Sequence, residues 1–243
     1  TLYMSTAGAN LEKQPGDLLG SGSIAQEALF DGTGDVPWYS LCSYIKYAKI
    51  GGLGETEGDD IVQPYNMAYW FCDCTKLLQV QYLGLDTTQT ENIGYLYYKC
   101  TSLPEYEGCD GADLAGLKLD SMAKLRDIRY LFYGCTSFTH LDFTQISNGV
   151  ISKSFATYNT GCLFSQCSAL EYLSNWDLKT TSYYGPMFSG CSSLETLNLP
   201  DNFGTNASYF ISLFNGCSSL KKIELPRFSE SADWSEISNL FNG

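Results

Sequence analysis

The chain has 243 residues, 44% of them apolar, which suffices to bury a substantial core as one large domain or an elongated array. Its 27 acidic residues against 14 basic ones give a formal charge of -13 that repels phosphate backbones and anionic lipid headgroups, so nucleic acid is excluded as an expected partner. No window approaches the ~18 consecutive apolar residues that cross a bilayer, and the chain opens at Thr1 without an initiator Met or a signal-peptide pattern, as a mature or trimmed piece would. Aromatics make up 14%, including 18 Tyr, and are expected mainly in the core.

In chain order, residues 1–52 differ from the remainder. The stretch "PGDLLGSGSIAQEALFDGTGDVPW", Pro15 to Trp38, is rich in Gly and Ser and has turn chemistry. An array of repeats needs its first open end covered, so 1–52 is expected to be an N-terminal capping module, continuous with an array over 53–243. The stretch "GGLGETEGDD", Gly51 to Asp60, with its acidic insert "GETEGDD", and "GCDGADLAG", Gly108 to Gly116, read as solvated loops.

From Trp70 onward one phrase recurs. Six copies align on Cys74, Cys100, Cys135, Cys167, Cys191 and Cys217, and "NLFNG" begins a seventh that stops at Gly243. Every copy has an aromatic three positions before the cysteine, Ser or Thr just after it, and an apolar residue three positions after. The best copies add apolar residues at six and eight positions, as Leu194, Leu197 and Leu199 do, or Leu220, Ile223 and Leu225. The resulting L-x-x-L-x-L is a leucine-rich repeat whose last two apolar positions describe a short strand with one buried face. One such unit cannot bury its own apolar side, so copies must stack. The predicted fold is an α/β, mostly-β leucine-rich-repeat solenoid of about six to seven turns. It has short parallel strands on one face, short helical turns opposite and an N-terminal cap. The "LFNG" halves predict one or two helical turns ended by left-handed Gly134, Gly190 and Gly216, with Asp73, Lys99 and Gln166 in the same slot elsewhere. The unfinished seventh copy predicts an open end and end-to-end association.

The repeated "F-x-G-C-[ST]-S-L" with its Leu-rich strand resembles the BspA-like leucine-rich-repeat surface proteins of bacteria, over roughly Trp70 to Gly243. "TLYMSTAGA" at the N-terminus is similar to the first strand of that family's leading module, and "DVPWYSLCSYIKYAKIGG", Asp35 to Gly52, to its "P-W-x…I-K-x-V-x-I" segment. The resemblance implies a cell-surface or secreted, non-enzymatic module that adheres to host or neighbouring-cell macromolecules. A spacer or stalk within a larger surface protein is the alternative.

Of the ten cysteines, the six at the repeat position read as reduced packing thiols. Cys42, Cys72, Cys109 and Cys162 lie outside it and could pair in an oxidising setting. Cys72 and Cys74 lack the spacing and the nearby His of a zinc site. "DGTGD", Asp31 to Asp35, and "GGLGETEG" around Glu55 fall short of calcium-loop patterns, so no metal or cofactor is expected. The sequon at Asn206 is read as accidental. The single histidine, His140, with Asp142 on the same side of a strand, is the one acid/base candidate and is read as part of a solvated face.

What such an array offers is surface. Outward strand positions line up into a stripe of Tyr47, Lys49, Gln79, Gln81, His140, Asp142, Tyr172, Ser174, Thr196, Asn198, Lys222 and Glu224, with Trp176 as a candidate anchor. In the copy after Cys100, either Glu105 and Glu107 or Lys118 joins the stripe, depending on register. An extracellular protein or glycan is the expected partner.

Overall fold

The computed structural model describes residues 2–5, 8–12, 18–22, 32, 36–52, 61–103, 117, 119–143, 160–174, 183–199, 203, 209–224 and 240–242. The fold is mostly β. Its strands are β1 (Leu2–Ser5), β2 (Gly8–Glu12), β3 (Leu18–Gly22), β4 (Tyr47–Ile50), β5 (Gln79–Tyr82), β6 (His140–Asp142), β7 (Tyr172–Ser174), β8 (Tyr183–Tyr184), β9 (Thr196–Asn198), β10 (Tyr209–Phe210) and β11 (Lys222–Glu224). Two 3-10 turns, Tyr39–Tyr44 and Leu119–Ser121, are the only helical elements among the described residues.

The strands of successive copies pair in parallel and in register. Tyr47 lies opposite Gln79, His140 opposite Tyr172, and Thr196 opposite Lys222, each five residues after a cysteine. β1 runs parallel to β4 on the side away from β5, and β2 and β3 extend that sheet as an antiparallel hairpin, in the order β3-β2-β1-β4-β5. The backbone groups on that edge of β4 are thereby bonded rather than left open.

The register also brings out a copy upstream of the six. Cys42, placed outside the repeat by sequence, stands in the same offset to β4 as Cys74 does to β5. Its thiol lies within hydrogen-bonding reach of that of Cys74, and Trp38 meets Trp70 edge-on at 6.2 Å, so residues 36–50 line up as a further copy inside the 1–52 capping span. Tyr39, Ser43, Ile45, Ala48 and Ile50 fill its repeat positions.

From Cys74 onward the runs preceding the repeat cysteines are not helical turns, as expected from sequence, but strings of overlapping hydrogen-bonded turns. In the first full run, the N–H groups of Trp70, Cys72 and Cys74 donate back to the carbonyls of Met67, Tyr69 and Phe71 at 3.4, 3.0 and 3.0 Å. Those of Tyr69, Phe71 and Asp73 donate instead to Gly94, Leu96 and Tyr98 of the next copy at 3.2, 3.0 and 2.8 Å. An α-helix would keep every donor for itself; here every second donor is directed sideways and stitches copy to copy. The residue before the cysteine is left-handed in all six copies from Cys74 on, with φ of 58° at Asp73, 55° at Lys99 and 63° at Gln166 beside 69°, 78° and 75° at Gly134, Gly190 and Gly216. Each of these six donates its N–H to the following copy at 2.6–2.8 Å, and this bond holds the non-glycine residues in a conformation they otherwise avoid.

The core is a set of columns. Ile45, Leu77, Leu103, Phe138, Leu170 and Leu194 form one, and Ala48, Val80, Leu141, Leu173 and Leu197 another, all buried. Leu199, Leu220 and Ile223 are partly buried against them, and Leu225 lies outside the described residues. A third column is aromatic: Phe71, Tyr97, Phe132, Phe164, Phe188, Phe214 and Phe241 stack nearly parallel at centroid separations of 5.3–6.0 Å.

Candidate functional site

The strand face places twelve of the sequence candidates outward. Tyr47, His140, Tyr172, Thr196, Asn198, Lys222 and Glu224 are exposed, and Lys49, Gln79, Gln81, Asp142 and Ser174 half-exposed. Alternation puts Ala48, Val80, Leu141, Leu173, Leu197 and Ile223 inward between them, which is why these polar side chains share one side. They form two rows, five and seven residues after each cysteine. β6, β7, β9 and β11 are contiguous, β7 and β9 being linked by the Glu195 N–H donating to the Glu171 carbonyl at 3.4 Å. β4 and β5 form a second block. Between the blocks lies the copy after Cys100, where Glu105, Glu107 and Lys118 fall outside the described residues, as do Trp176, Asn206 and the "DGTGD" and "GETEGDD" acidic positions. Sequence reasoning missed Tyr3. β1 sets it directly beside Lys49, in the row that continues to Gln81, and only the tertiary pairing of β1 with β4 reveals this.

The two blocks differ electrostatically. In the larger one, Lys222 and Glu224 pair at 2.7 Å, which raises the lysine pKa and lowers that of the carboxyl through the shared hydrogen bond, and Lys221 pairs with Glu195 at 2.7 Å. Such exposed pairs weigh little for stability but leave the surface locally balanced. His140 is exposed, with Nδ1 3.1 Å from Thr139 Oγ1 and its ring edge-on to Tyr172 at 5.9 Å.

The turn side carries a second surface. Tyr69, Tyr95 and Tyr130 stack at 4.6 Å, and Tyr98 lies on Tyr133 at 4.8 Å, all half-buried. Burial pushes the Tyr95 and Tyr133 phenols up, and the Lys99 ammonium sits 5.0 Å from the Tyr98 ring. The recurrence of Tyr two and five positions before the cysteine was the available signal for this ladder.

The cysteines do more than fill space. The thiols of Cys100, Cys135, Cys167, Cys191 and Cys217 donate to the carbonyls of Phe71, Tyr97, Phe132, Phe164 and Phe188 in the preceding copy at 3.0–3.1 Å. Each of those carbonyls also accepts the N–H of its own copy's cysteine, so both lone pairs are used. Burial pushes the thiols up, Cys217 to about 11, Cys167 to about 12, and Cys100, Cys135 and Cys191 well above their ordinary range. A nucleophilic cysteine needs the opposite shift. Cys42, Cys72 and Cys162, expected as disulfide candidates, are buried and free, while Cys109 lies outside the described residues. Thiol titration of denatured, unreduced protein is therefore expected to return at least the nine described groups, and a lower count would contradict the ladder.

Among the described residues, no group of three His, Cys, Asp or Glu side chains is placed to hold a metal ion, and no helix is long and apolar enough to cross a membrane. No known protein-family profile matches the chain, and no curated protein matches it. A solved structure of a leucine-rich repeat protein from Bacteroides ovatus is similar to it at 22% sequence identity and a TM-score of 0.48. The similarity covers 76% of this chain but 38% of that protein, so the chain spans well under half its length.

Proposed function

We propose that the chain is a non-enzymatic binding module of the leucine-rich-repeat solenoid class, displayed at a cell surface or secreted, which engages an extracellular protein or glycan through the outward face of its strands. The observation that carries this reading is the register. Polar and aromatic side chains recur at two fixed offsets from a buried cysteine column and form rows that cross β4 and β5, and again β6, β7, β9 and β11. Rows of this kind suit an extended or broad partner, and the mixture of Tyr, amide and both signs of charge suits contact at moderate affinity. His140 and Asp142 belong to the same face rather than to an acid/base site, and BspA-like adhesion is the finer form of this reading.

The test is an array of glycans and extracellular-matrix proteins probed at physiological salt with the wild-type chain and with strand-face variants. At least one partner is expected, and His140→Ala, Tyr172→Ala or Lys222→Glu in one block, or Lys49→Glu in the other, should weaken it severalfold. Partners that bind every variant equally would rule out the strand face as the contact surface and leave the spacer reading.

A further inference from the structure

The block built on β4 and β5 is cationic in an anionic molecule. Residues 36–52 and 74–85 contain Lys46, Lys49 and Lys76 and no Asp or Glu, although carboxylates outnumber cations 27 to 14 over the chain. The carboxylates that flank the second segment, Asp73 and Asp86, are half-buried and accept hydrogen bonds from Tyr39 Oη at 2.8 Å and Gln63 Nε2 at 2.6 Å. Lys46 and Lys76 are exposed and Lys49 half-exposed, and none of them meets a carboxylate in the ion pairs formed among the described residues. At the other end of the face, Lys221 and Lys222 are each held by a glutamate. Two rings lie among the unpaired lysines: Tyr44, 66% exposed, with Lys76 Nζ 5.9 Å from its centroid, and Tyr47, 43% exposed. The Gln81 amide continues the row from Lys49.

We infer that this end of the strand face, together with the turns that lead into β4 and β5, binds an acidic polysaccharide, its carboxylate or sulfate groups on Lys49 of the strand and on Lys46 and Lys76 of the turns, and its sugar rings against Tyr44 and Tyr47. The inference rests on the strand face being the binding surface and names the class of partner for one part of it. Three features of the block fit that class. Ammonium groups on flexible stems pair with anionic groups repeated along a chain without requiring one fixed geometry. Exposed tyrosine rings present a negative face to the polarised C–H groups of a sugar ring. Copies spaced at ~4.8 Å repeat at close to the length of one sugar unit, so successive side chains meet successive residues of a polymer. The net charge does not prevent this, because at physiological salt repulsion from distant carboxylates decays over about 8 Å while contacts within the block persist.

The experiment is calorimetric titration of the full chain with polygalacturonate and with chondroitin sulfate, with dextran as neutral polymer and poly-L-glutamate as acidic polypeptide. It is repeated for Lys46→Glu/Lys49→Glu/Lys76→Glu, for Tyr44→Ala/Tyr47→Ala and for Lys124→Glu as an exposed control, each first checked for an unchanged melting temperature. Expected are binding of one or both acidic polysaccharides but not dextran, and an affinity that falls with salt. The lysine variant should lose roughly tenfold or more, the tyrosine variant should bind the polysaccharide more weakly, and the control should be unaffected. Which polysaccharide binds separates carboxylate from sulfate recognition. Failure to bind either one overturns the inference, as does binding that survives the lysine variant. Poly-L-glutamate bound as tightly, with no effect of the tyrosine variant, overturns it in favour of an acidic protein. A partner found on the array that depends on His140 or Lys222, together with no polysaccharide binding, would sink this inference alone. Array partners indifferent to all strand-face variants would sink the broader reading with it.

Discussion

Stability is expected to collapse on the alkaline side, beginning near pH 8.5. An unfolded thiol ionises at about 8.5, whereas in the folded chain burial holds the thiols of Cys100, Cys135, Cys167 and Cys191 protonated well beyond that. Below the unfolded value both states keep the proton, and the contribution of these thiols is present in full. Above it the unfolded state sheds protons that the folded state retains, so each thiol shifts the balance toward unfolding by about 1.4 kcal/mol per pH unit until its folded pKa is reached. By about pH 9.5 the four together cost on the order of 5 kcal/mol, comparable with the whole stability of many domains. Melting temperature followed from about pH 6 to about pH 10 should therefore be level at first and then fall steeply. The Tyr95 and Tyr133 phenols, also raised, add to the fall only from about pH 10, so the onset identifies the thiols. Cys135→Ala should lower stability at neutral pH, through the lost contact and S–H donor, while making the alkaline slope shallower. A melting temperature level through pH 10 would show that the thiols are not buried as described.

How much of this was legible in the sequence depends on which atoms carry each feature. The outward and inward positions of the strands were readable because alternation is local: once Leu197 and Leu173 face inward, Thr196, Asn198, Tyr172 and Ser174 must face outward. The left-handed slot before the cysteine was readable from Gly134, Gly190 and Gly216 and extends to Asp73, Lys99 and Gln166. The turn strings were not, because a short apolar run with small residues fits one turn of helix as well, and the choice is made by donors that leave the copy for a neighbour 24 to 35 residues away. Cys42 was missed for a similar reason. Its copy carries Ala48 where the later strands carry Val80, Leu141, Leu173, Leu197 and Ile223, and the pairing of β4 with β5 restores the offset. The same holds for the S–H bonds to backbone carbonyls. Nothing in composition distinguishes a cysteine that packs from one that also donates.

The aromatic column makes the second large prediction. Phe164 is fully buried, with Phe132 stacked on one side at 6.0 Å and 7°, Phe188 on the other at 5.5 Å and 16°, and Phe143 edge-on at 5.9 Å. Removing the ring opens a cavity that neither neighbour can fill, since each is fixed by its own stack, so Phe164→Ala should cost about 3–5 kcal/mol in urea unfolding. Phe241 belongs to the same column but stacks on Phe214 with 52% of its surface exposed, and Phe241→Ala should cost less than about 1 kcal/mol. The contrast tests the architecture rather than the residue type, because in a stack of copies a ring counts according to how many neighbours it touches. A double-mutant cycle between Phe164→Ala and Phe188→Ala should give a coupling of about 0.5–1.5 kcal/mol, while Phe164→Ala with the distant Phe71→Ala should be additive. Equal losses at Phe164 and Phe241, or no coupling between Phe164 and Phe188, would mean that the rings do not form one column, and the register that lines up the strand face would lose its physical basis.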